Sequence, residues 1–292
     1  MKPFLLAALP ALAPPPAAPA LPAAAPLGQR VALAFQELHQ ASPALAWAGW
    51  LHVGFAALAL GLLVIDHRLL TGAPAWLKPL KFALSGLAYT WALGWLLASL
   101  PAVARPAAAY VGWGVGLSLL IEVLIIFVQA GRGQASHYNT SSGLNALLFG
   151  TMGVFIAIQT LLSVWAAYLV WRYPLAGSAG YAWGVRLGLP LSILGAVVGG
   201  LMIRQLGHTV GAPDGGPGLP GLGWSTRAGD LRLAHFLGLH ALQALPLLGW
   251  ALGRWQPARA VPLMWLGAAL YAAAAAALLL QALAGQPLWR LR

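Results

Sequence analysis

GDLRLAHFLGLHALQ, from Gly229 to Gln243, opens the sixth of seven long hydrophobic segments in this chain of 292 residues. The stretch carries an acid, a base, two histidines and a glutamine, and most of its other residues are leucine, alanine and glycine. Polar side chains are costly inside a bilayer and mark a functional site by default. The segment therefore predicts both a membrane-spanning helix and a polar site near the start of that helix.

The composition is that of an integral membrane protein. Hydrophobic residues make up 60% of the chain and charged residues only 7%, whereas soluble domains carry about 25% charged residues. The chain has no cysteine, which excludes disulfides, thiolate nucleophiles and iron–sulfur clusters. The net charge is +11. Because the basic residues are scattered at the ends of the segments, we expect them to contact membrane lipids and set orientation, with no nucleic-acid partner.

Each hydrophobic segment is long enough to cross about 30 Å of hydrocarbon as a helix. None of them alternates with a period of two, as a membrane barrel would require. We therefore predict an all-α integral membrane protein, a single bundle of seven transmembrane helices within residues 44–285. The predicted spans are 44–65, 79–100, 107–130, 144–171, 181–206, 231–252 and 261–284.

Two segments precede the first span. Residues 1–26 are rich in alanine and proline, and they predict a signal-peptide-like leader or a disordered tail. Within residues 27–43, the apolar Val31, Phe35 and Leu38 recur at helical spacing. This pattern indicates an amphipathic helix that lies at the membrane interface and does not cross the bilayer.

The distribution of basic residues predicts the orientation. With seven spans, nine basic residues fall on the side of the C-terminus and six on the side of the N-terminus. The more basic side is expected to be cytoplasmic, so the N-terminus would lie outside and the C-terminus inside a cell membrane, which we expect to be a bacterial inner membrane. The same side carries the Gly/Pro-rich loop 207–230, a candidate flap, and the basic tail 286–292.

Most of the unusual polar residues lie on that same side. Glu122 lies about 12 Å from this end of its span, and His240 lies about 13 Å from the same face, so the two are expected at one level. Gln243 follows His240 by one helical turn. We predict a site for an anionic or amphipathic ligand here, with these candidate residues: Lys78, Lys81, Glu122, Arg132, His137, Asn139, Asp230, Arg232, His240 and Gln243.

Several of these residues also have a purely structural interpretation. Asp230 precedes a helix and is most simply its N-cap, and one of the residues 139–142 caps the fourth span. Lys78 and Lys81 lie at the start of a helix, where the macrodipole favours negative charge, so they do not stabilise that helix. They either extend towards lipid headgroups or face a bound anion.

The histidines leave metal, haem and acid–base chemistry open. His235 and His240 are five residues apart, so they do not share one face of their helix, and a metal would need ligands from loops. The weak metal candidates are His137, His208, His235 and His240, and a haem would need His52 and His240 to meet near mid-membrane. The candidate catalytic residues are Glu122, His137, His235 and His240.

Four classes of function remain open at this point. The first is binding or transport of an anionic or amphipathic small molecule or a lipid headgroup. The second is a membrane-embedded enzyme that acts on a lipid or another amphipathic substrate through His/Glu acid–base or metal chemistry. The third is a haem-bearing redox protein, and the fourth is a structural subunit. The sequence leaves the oligomeric state open.

Overall fold

The computed structural model describes residues 26–289, so almost all of the predicted leader and the last residues of the basic tail lie outside the described residues. Within this range the chain forms eight α-helices, two single-turn 3-10 helices and four two-residue strands. The helices are α1 (Leu27–Ala41), α2 (Pro43–Ile65), α3 (Leu77–Ala98), α4 (Arg105–Gly131), α5 (Gly143–Arg172), α6 (Ala179–Arg204), α7 (Leu231–Trp255) and α8 (Ala260–Leu283). The strands are β1 (Leu69–Leu70), β2 (Ala73–Pro74), β3 (Thr209–Val210) and β4 (Gly229–Asp230).

In the described range, the seven helices α2 to α8 are long and apolar enough to cross a membrane, which is compatible with a multi-pass membrane protein. The prediction of an all-α chain with seven long apolar helices is confirmed, and the helices begin and end within a few residues of the predicted spans. One difference matters for the site. Helix α3 begins at Leu77, so Lys78 lies inside the helix rather than before it. Pro79 permits this early start. The backbone N–H groups of the first turn have no carbonyl acceptor within the helix, so a proline there, which lacks an N–H, costs no hydrogen bond.

One side of helix α1 packs against helices α2 and α3. The ring of Phe35 lies 4.7 Å from that of Trp91, and the Trp95 indole N–H donates to the carbonyl of Ala34 at 3.1 Å. Leu38 is fully buried. The amphipathic pattern therefore predicted the helix correctly, and part of its apolar face contacts α2 and α3. Its position at a membrane interface stays a prediction.

Helices α6 and α7 approach each other through glycines. A Cβ added to Gly184 would lie 2.4 Å from the carbonyl oxygen of Leu245, and one added to Gly195 would lie 2.5 Å from the backbone nitrogen of Leu239. Real Cβ atoms do not come this close to backbone, so the glycines allow two helix backbones to touch. This contact fixes the rotation of α7 and so determines which way the side chains at its start point.

The Gly/Pro-rich loop 207–230 has a defined shape. Its two ends pair as antiparallel strands β3 and β4, and a further bridge joins Gly218 to Ser225. At the base, a Cβ on Gly229 would lie 1.9 Å from the carbonyl oxygen of Ala282, so the loop is packed directly on the backbone of α8. Carbonyl groups at the tip of the loop contact Lys81 and Arg232, so the loop lies over the N-terminal ends of α3 and α7.

Candidate functional site

Five ionisable side chains converge where α3 and α7 begin, beside the turn that joins α4 to α5. We call this group the charged cluster: Lys78, Lys81, Glu122, His137 and Arg232. Lys78 interacts electrostatically with Glu122, Lys81 and Arg232. The sequence analysis named all five as candidate site residues, and the structure brings them together from two helix starts, one helix interior and one loop.

His137 lies at the centre of the charged cluster. Its Nδ1 is 3.2 Å from Nζ of Lys78, and its Nε2 is 3.9 Å from Oε1 of Glu122. Burial lowers the pKa of His137 well below the ordinary value of 6.5, and the charges of Lys78 and His235 act in the same direction. A neutral imidazole accepts at one nitrogen and donates at the other. The Lys78 ammonium therefore donates to Nδ1, and the N–H at Nε2 points towards Glu122.

The turn that carries His137 has an unusual backbone. Tyr138 has a φ of 57°, in the left-handed region. This conformation is energetically unfavourable for residues other than glycine, and such residues often lie at functional sites. Its ring lies 5.9 Å from that of His137 and 5.6 Å from that of Phe149. Burial, followed by the charge of Asp214, raises the pKa of Tyr138 to about 12, so its hydroxyl stays protonated. Tyr138 was not among the predicted site residues, because no sequence pattern marks this backbone conformation.

Lys81 and Arg232 reach the tip of the loop from two different helices. Nζ of Lys81 lies 3.2 Å from the carbonyl oxygen of Gly221 and 3.3 Å from that of Leu222. The Arg232 guanidinium donates to the next carbonyl, that of Gly223. No salt bridge to Lys81 is present between residues 26 and 289. Three successive carbonyl oxygens therefore occupy the space at which both cations point.

Asp230 holds Arg232 in this position. Its Oδ1 accepts the backbone N–H of Arg232 at 3.0 Å, which confirms that Asp230 is the N-cap of α7. Its Oδ2 lies 2.6 Å from the Arg232 guanidinium and also accepts the N–H of Ser225 at 2.8 Å. Burial acts to raise the pKa of Asp230, but the hydrogen bonds and charge of Arg232 outweigh it and leave the pKa below its ordinary value.

His208 lies beside this pair at the base of the loop. Its Nδ1 is 3.4 Å from Oδ1 of Asp214 and 3.9 Å from Oδ1 of Asp230. Burial, and then the positive charge of Arg232, lowers the pKa of His208 despite the two carboxylates. A neutral His208 fits the site, because a protonated one would add to the positive charge already present there.

Arg132 and Asn139 belong to a different group, which we call the Gln129 network: Gln129, Arg132, Gln134, Asn139 and Asn145. The Arg132 guanidinium donates to the side-chain oxygens of Gln129 and Asn145. The Asn145 amide in turn donates to Gln134, and the Asn139 amide donates to the carbonyl of Ala135 at 3.0 Å. This network joins the end of α4 to the start of α5. Asn145, which is buried, was not among the predicted site residues, although an amide in the first turn of an apolar segment is a signal that the sequence offers.

His235, His240 and Gln243 face other helices. Nδ1 of His235 is 2.7 Å from the carbonyl oxygen of Gly195 on α6. The Gln243 amide donates to the carbonyl of Ala88 on α3 at 3.3 Å, and its oxygen is 3.2 Å from Nδ1 of His240. Glu122 and His240 were expected at one level, and the contacts of the described residues include none between them. Instead, the α4–α5 turn folds inward and places His137 at Glu122.

The metal and haem hypotheses gain no support from the arrangement of side chains. Within residues 26–289, no group of three or more His, Asp or Glu side chains is placed to hold a metal. His137, His208, His235 and His240 are each engaged separately, as described above. For a haem, His52 is packed against Gly86, where an added Cβ would lie 2.2 Å from its Nε2. The ring of His52 therefore fills the space between α2 and α3.

No protein-family model, no curated protein and no solved structure matches this chain. The function must therefore be inferred from the chemistry of the site itself.

Proposed function

We propose that the charged cluster binds an oxyanion, a phosphate-like or sulfate-like group, where α3 and α7 begin. The observation that supports this most directly is the pair of cations at the loop tip. Lys81 and Arg232 come from different helices and both donate to carbonyl oxygens of residues 221–223. Carbonyl oxygens are weak substitutes for the charged oxygens that lysine and arginine prefer.

The charge balance of the cluster also favours an anion. Three cations, Lys78, Lys81 and Arg232, lie near three carboxylates, Glu122, Asp230 and Asp214. Arg232 already neutralises Asp230, whose side chain is only 1% exposed. Asp214 accepts the backbone N–H groups of His208 and Thr209. Among the described residues, Lys78 then faces Glu122, and Lys81 interacts with no carboxylate. Like charges repel in a medium of low dielectric constant, and a bound anion would relieve this repulsion.

The oxyanion could belong to a lipid headgroup or to a small soluble anion, and the chemistry of recognition is shared. Lys78 and Lys81 lie in the first turns of a helix compatible with membrane insertion, the level at which lysine side chains reach lipid phosphates. Binding at this level is also the first step in the transport of an amphipathic or anionic molecule. The protein is thus proposed to bind, or to bind and transport, such a ligand.

The test compares the two sources of anion. The purified protein is placed in phosphatidylcholine nanodiscs, and its melting temperature is measured with added sulfate or with phosphatidylglycerol in the disc. Ligands that bind the folded state raise the melting temperature. Stabilisation by sulfate identifies a small anion, stabilisation by phosphatidylglycerol alone identifies a headgroup, and stabilisation by neither contradicts the proposal.

Matched variants locate the binding. Lys81→Gln should weaken binding of the active probe about tenfold, since one charged hydrogen bond is lost. Arg227→Gln removes an exposed positive charge from the same loop and should bind as the wild type does. Equal weakening in both variants would mean that only the general charge of this face matters, and it would refute a defined site.

A second candidate function rests on the position of His137 between Lys78 and Glu122. An imidazole beside a carboxyl group is a common arrangement for general acid–base catalysis. The substrate would be a lipid that the cluster binds by its phosphate. Incubation with phosphatidylglycerol in nanodiscs, followed by lipid analysis, separates the two functions. Loss of the lipid in the wild type but not in His137→Asn supports an enzyme, and an unchanged lipid supports binding alone.

We further propose that the cluster faces the cytoplasm of a bacterial cell, with the N-terminus outside and the C-terminus inside. The support is the excess of basic residues on the side of the cluster, nine against six. Reporter fusions at the two termini test this. Cytoplasmic reporter activity at the N-terminus would reverse the orientation.

A further inference from the structure

Glu122 is the least satisfied charged group in the cluster. Its side chain is 10% exposed, and its Oε1 faces Nε2 of His137 at 3.9 Å, beyond hydrogen-bond length. Its Oε2 is buried with no hydrogen-bond partner among the described residues. An ionised carboxylate inside an apolar helix needs donors or a nearby cation. Here the compensating cation is Lys78, which acts through space.

The other carboxylates near the cluster are satisfied in a different way. Asp230 accepts hydrogen bonds from Arg232 and from the N–H of Ser225. Asp214 accepts the backbone N–H groups of His208 and Thr209. Both can keep their charge whatever Lys78 does, whereas Glu122 cannot.

Among the described residues, the titratable groups that face Glu122 directly are Lys78 on α3 and His137 on the α4–α5 turn. Lys78 also serves His137 and interacts with Lys81 and Arg232. An oxyanion held by Lys81 and Arg232 would place negative charge beside Lys78 and would compete with Glu122 for it. The other titratable groups of this region act on Lys78, on His137 or on their neighbours: Lys81 on α3, Tyr138 on the α4–α5 turn, Asp230, Arg232 and His235 at the start of α7, and His208 and Asp214 on the loop.

We infer that the site takes up a proton with its oxyanion, and that Glu122 is the residue that carries the proton. The inference rests on the proposed oxyanion binding. A proton from water adds to a carboxylate oxygen of Glu122 and gives the neutral carboxylic acid, while no bond in the anion changes. Lys78 is then released from Glu122 and can interact with the anion. Anion and proton would load together, which is the chemistry that proton-coupled anion binding requires.

The test is calorimetric titration of the nanodisc-embedded protein with sulfate, or with a short-chain phosphatidylglycerol if only the lipid probe binds. Neither probe takes up a proton near neutral pH. The titration is repeated at one pH in two buffers that differ in ionisation enthalpy. The binding heat should differ between the two buffers by about the difference in their ionisation enthalpies, which corresponds to about one proton taken up per bound anion. Over the pH range in which Glu122 takes up the proton, the affinity should rise about tenfold for each unit that the pH falls.

The variants assign the proton. In Glu122→Gln the heat should no longer depend on the buffer, and the affinity should no longer depend on pH. If proton uptake survives in Glu122→Gln and is lost in His137→Asn, the proton belongs to His137 and the inference is overturned. Should Glu122→Gln fail to fold, the wild type and His137→Asn decide together: a flat pH profile in the wild type, or loss of proton uptake in His137→Asn, contradicts the inference.

Failure of this inference is distinguishable from failure of the proposed function. If neither probe binds the wild type, oxyanion binding itself is wrong. If a probe binds, and Lys81→Gln weakens it, but the heat is the same in both buffers, then only the proton uptake is wrong.

Discussion

Two groups of polar residues lie near the end of α4, and they differ in how far their hydrogen bonds are satisfied. In the Gln129 network, the side-chain amides of Gln129 and Asn145 and the guanidinium of Arg132 bond to one another. In the charged cluster, Oε2 of Glu122 is without a hydrogen-bond partner among the described residues. Lys81 bonds only to backbone carbonyls there.

This difference separates structure from function. A satisfied polar network stiffens a protein and fixes one conformation. An unsatisfied buried charge lowers stability, and groups of this kind are concentrated at functional sites. The Gln129 network is therefore interpreted as the device that holds the α4–α5 turn, and the charged cluster as the site that this turn helps to form.

The largest expected effect on stability comes from breaking the Gln129 network. Asn145→Leu removes an acceptor that Arg132 shares with the fully buried amide of Gln129, and the loss of these bonds should lower the free energy of unfolding by about 2 kcal/mol. Equilibrium unfolding in mixed micelles measures this. Thr140→Val, an exposed change in the same turn, should stay within about 0.5 kcal/mol of the wild type. An equal, small effect of both variants would mean that the network does not hold the turn.

A smaller change in the free energy of unfolding is expected when the pH is lowered. The folded pKa values of His137 and His208 lie below the ordinary 6.5. As the pH falls, these histidines take up protons in the unfolded chain before they do so in the folded protein. The free energy of unfolding is therefore unaffected by them above about pH 6.5, and it decreases as the pH falls from there towards the pKa values of the folded protein. Asp230, with its lowered pKa, contributes a loss only at still lower pH. His137→Asn should flatten the stability profile of the protein below 6.5, and an unchanged profile in this variant would contradict a buried, neutral His137.

The smallest effect on stability is expected at Glu122. Neither carboxylate oxygen of Glu122 has a hydrogen bond within residues 26–289, so Glu122→Gln should change the free energy of unfolding by less than about 1 kcal/mol. Unfolding in the same micelles gives the comparison with Asn145→Leu. A loss as large as that of Asn145→Leu would place Glu122 among the structural residues and would remove the distinction between the two groups.

Much of the fold could be predicted from the sequence because helix formation in apolar segments is a local property. The length of each hydrophobic segment predicted the seven long helices, and the spacing of Val31, Phe35 and Leu38 predicted α1. The N-cap Asp230 could also be recognised from local sequence. These features need no knowledge of how the helices pack.

The site could be predicted only in part, because its geometry depends on loops. Depth along the helices placed Glu122 level with His240, whereas the left-handed residue Tyr138 turns His137 inward onto Glu122. Arg132 and Asn139 had the right chemistry for ligand binding, but their hydrogen bonds are made within the Gln129 network. Residue type indicated polarity, and only the folded turn showed which polar groups were already satisfied.

The most direct test of oxyanion binding is a density map of the protein in nanodiscs that contain phosphatidylglycerol, with sulfate in the buffer. Phosphate or sulfate density should lie within hydrogen-bond distance of Lys81 Nζ and the Arg232 guanidinium, in place of the carbonyl oxygens of residues 221–223. If the tip of the loop still contacts both cations and the anion density lies elsewhere or nowhere, the central claim is contradicted.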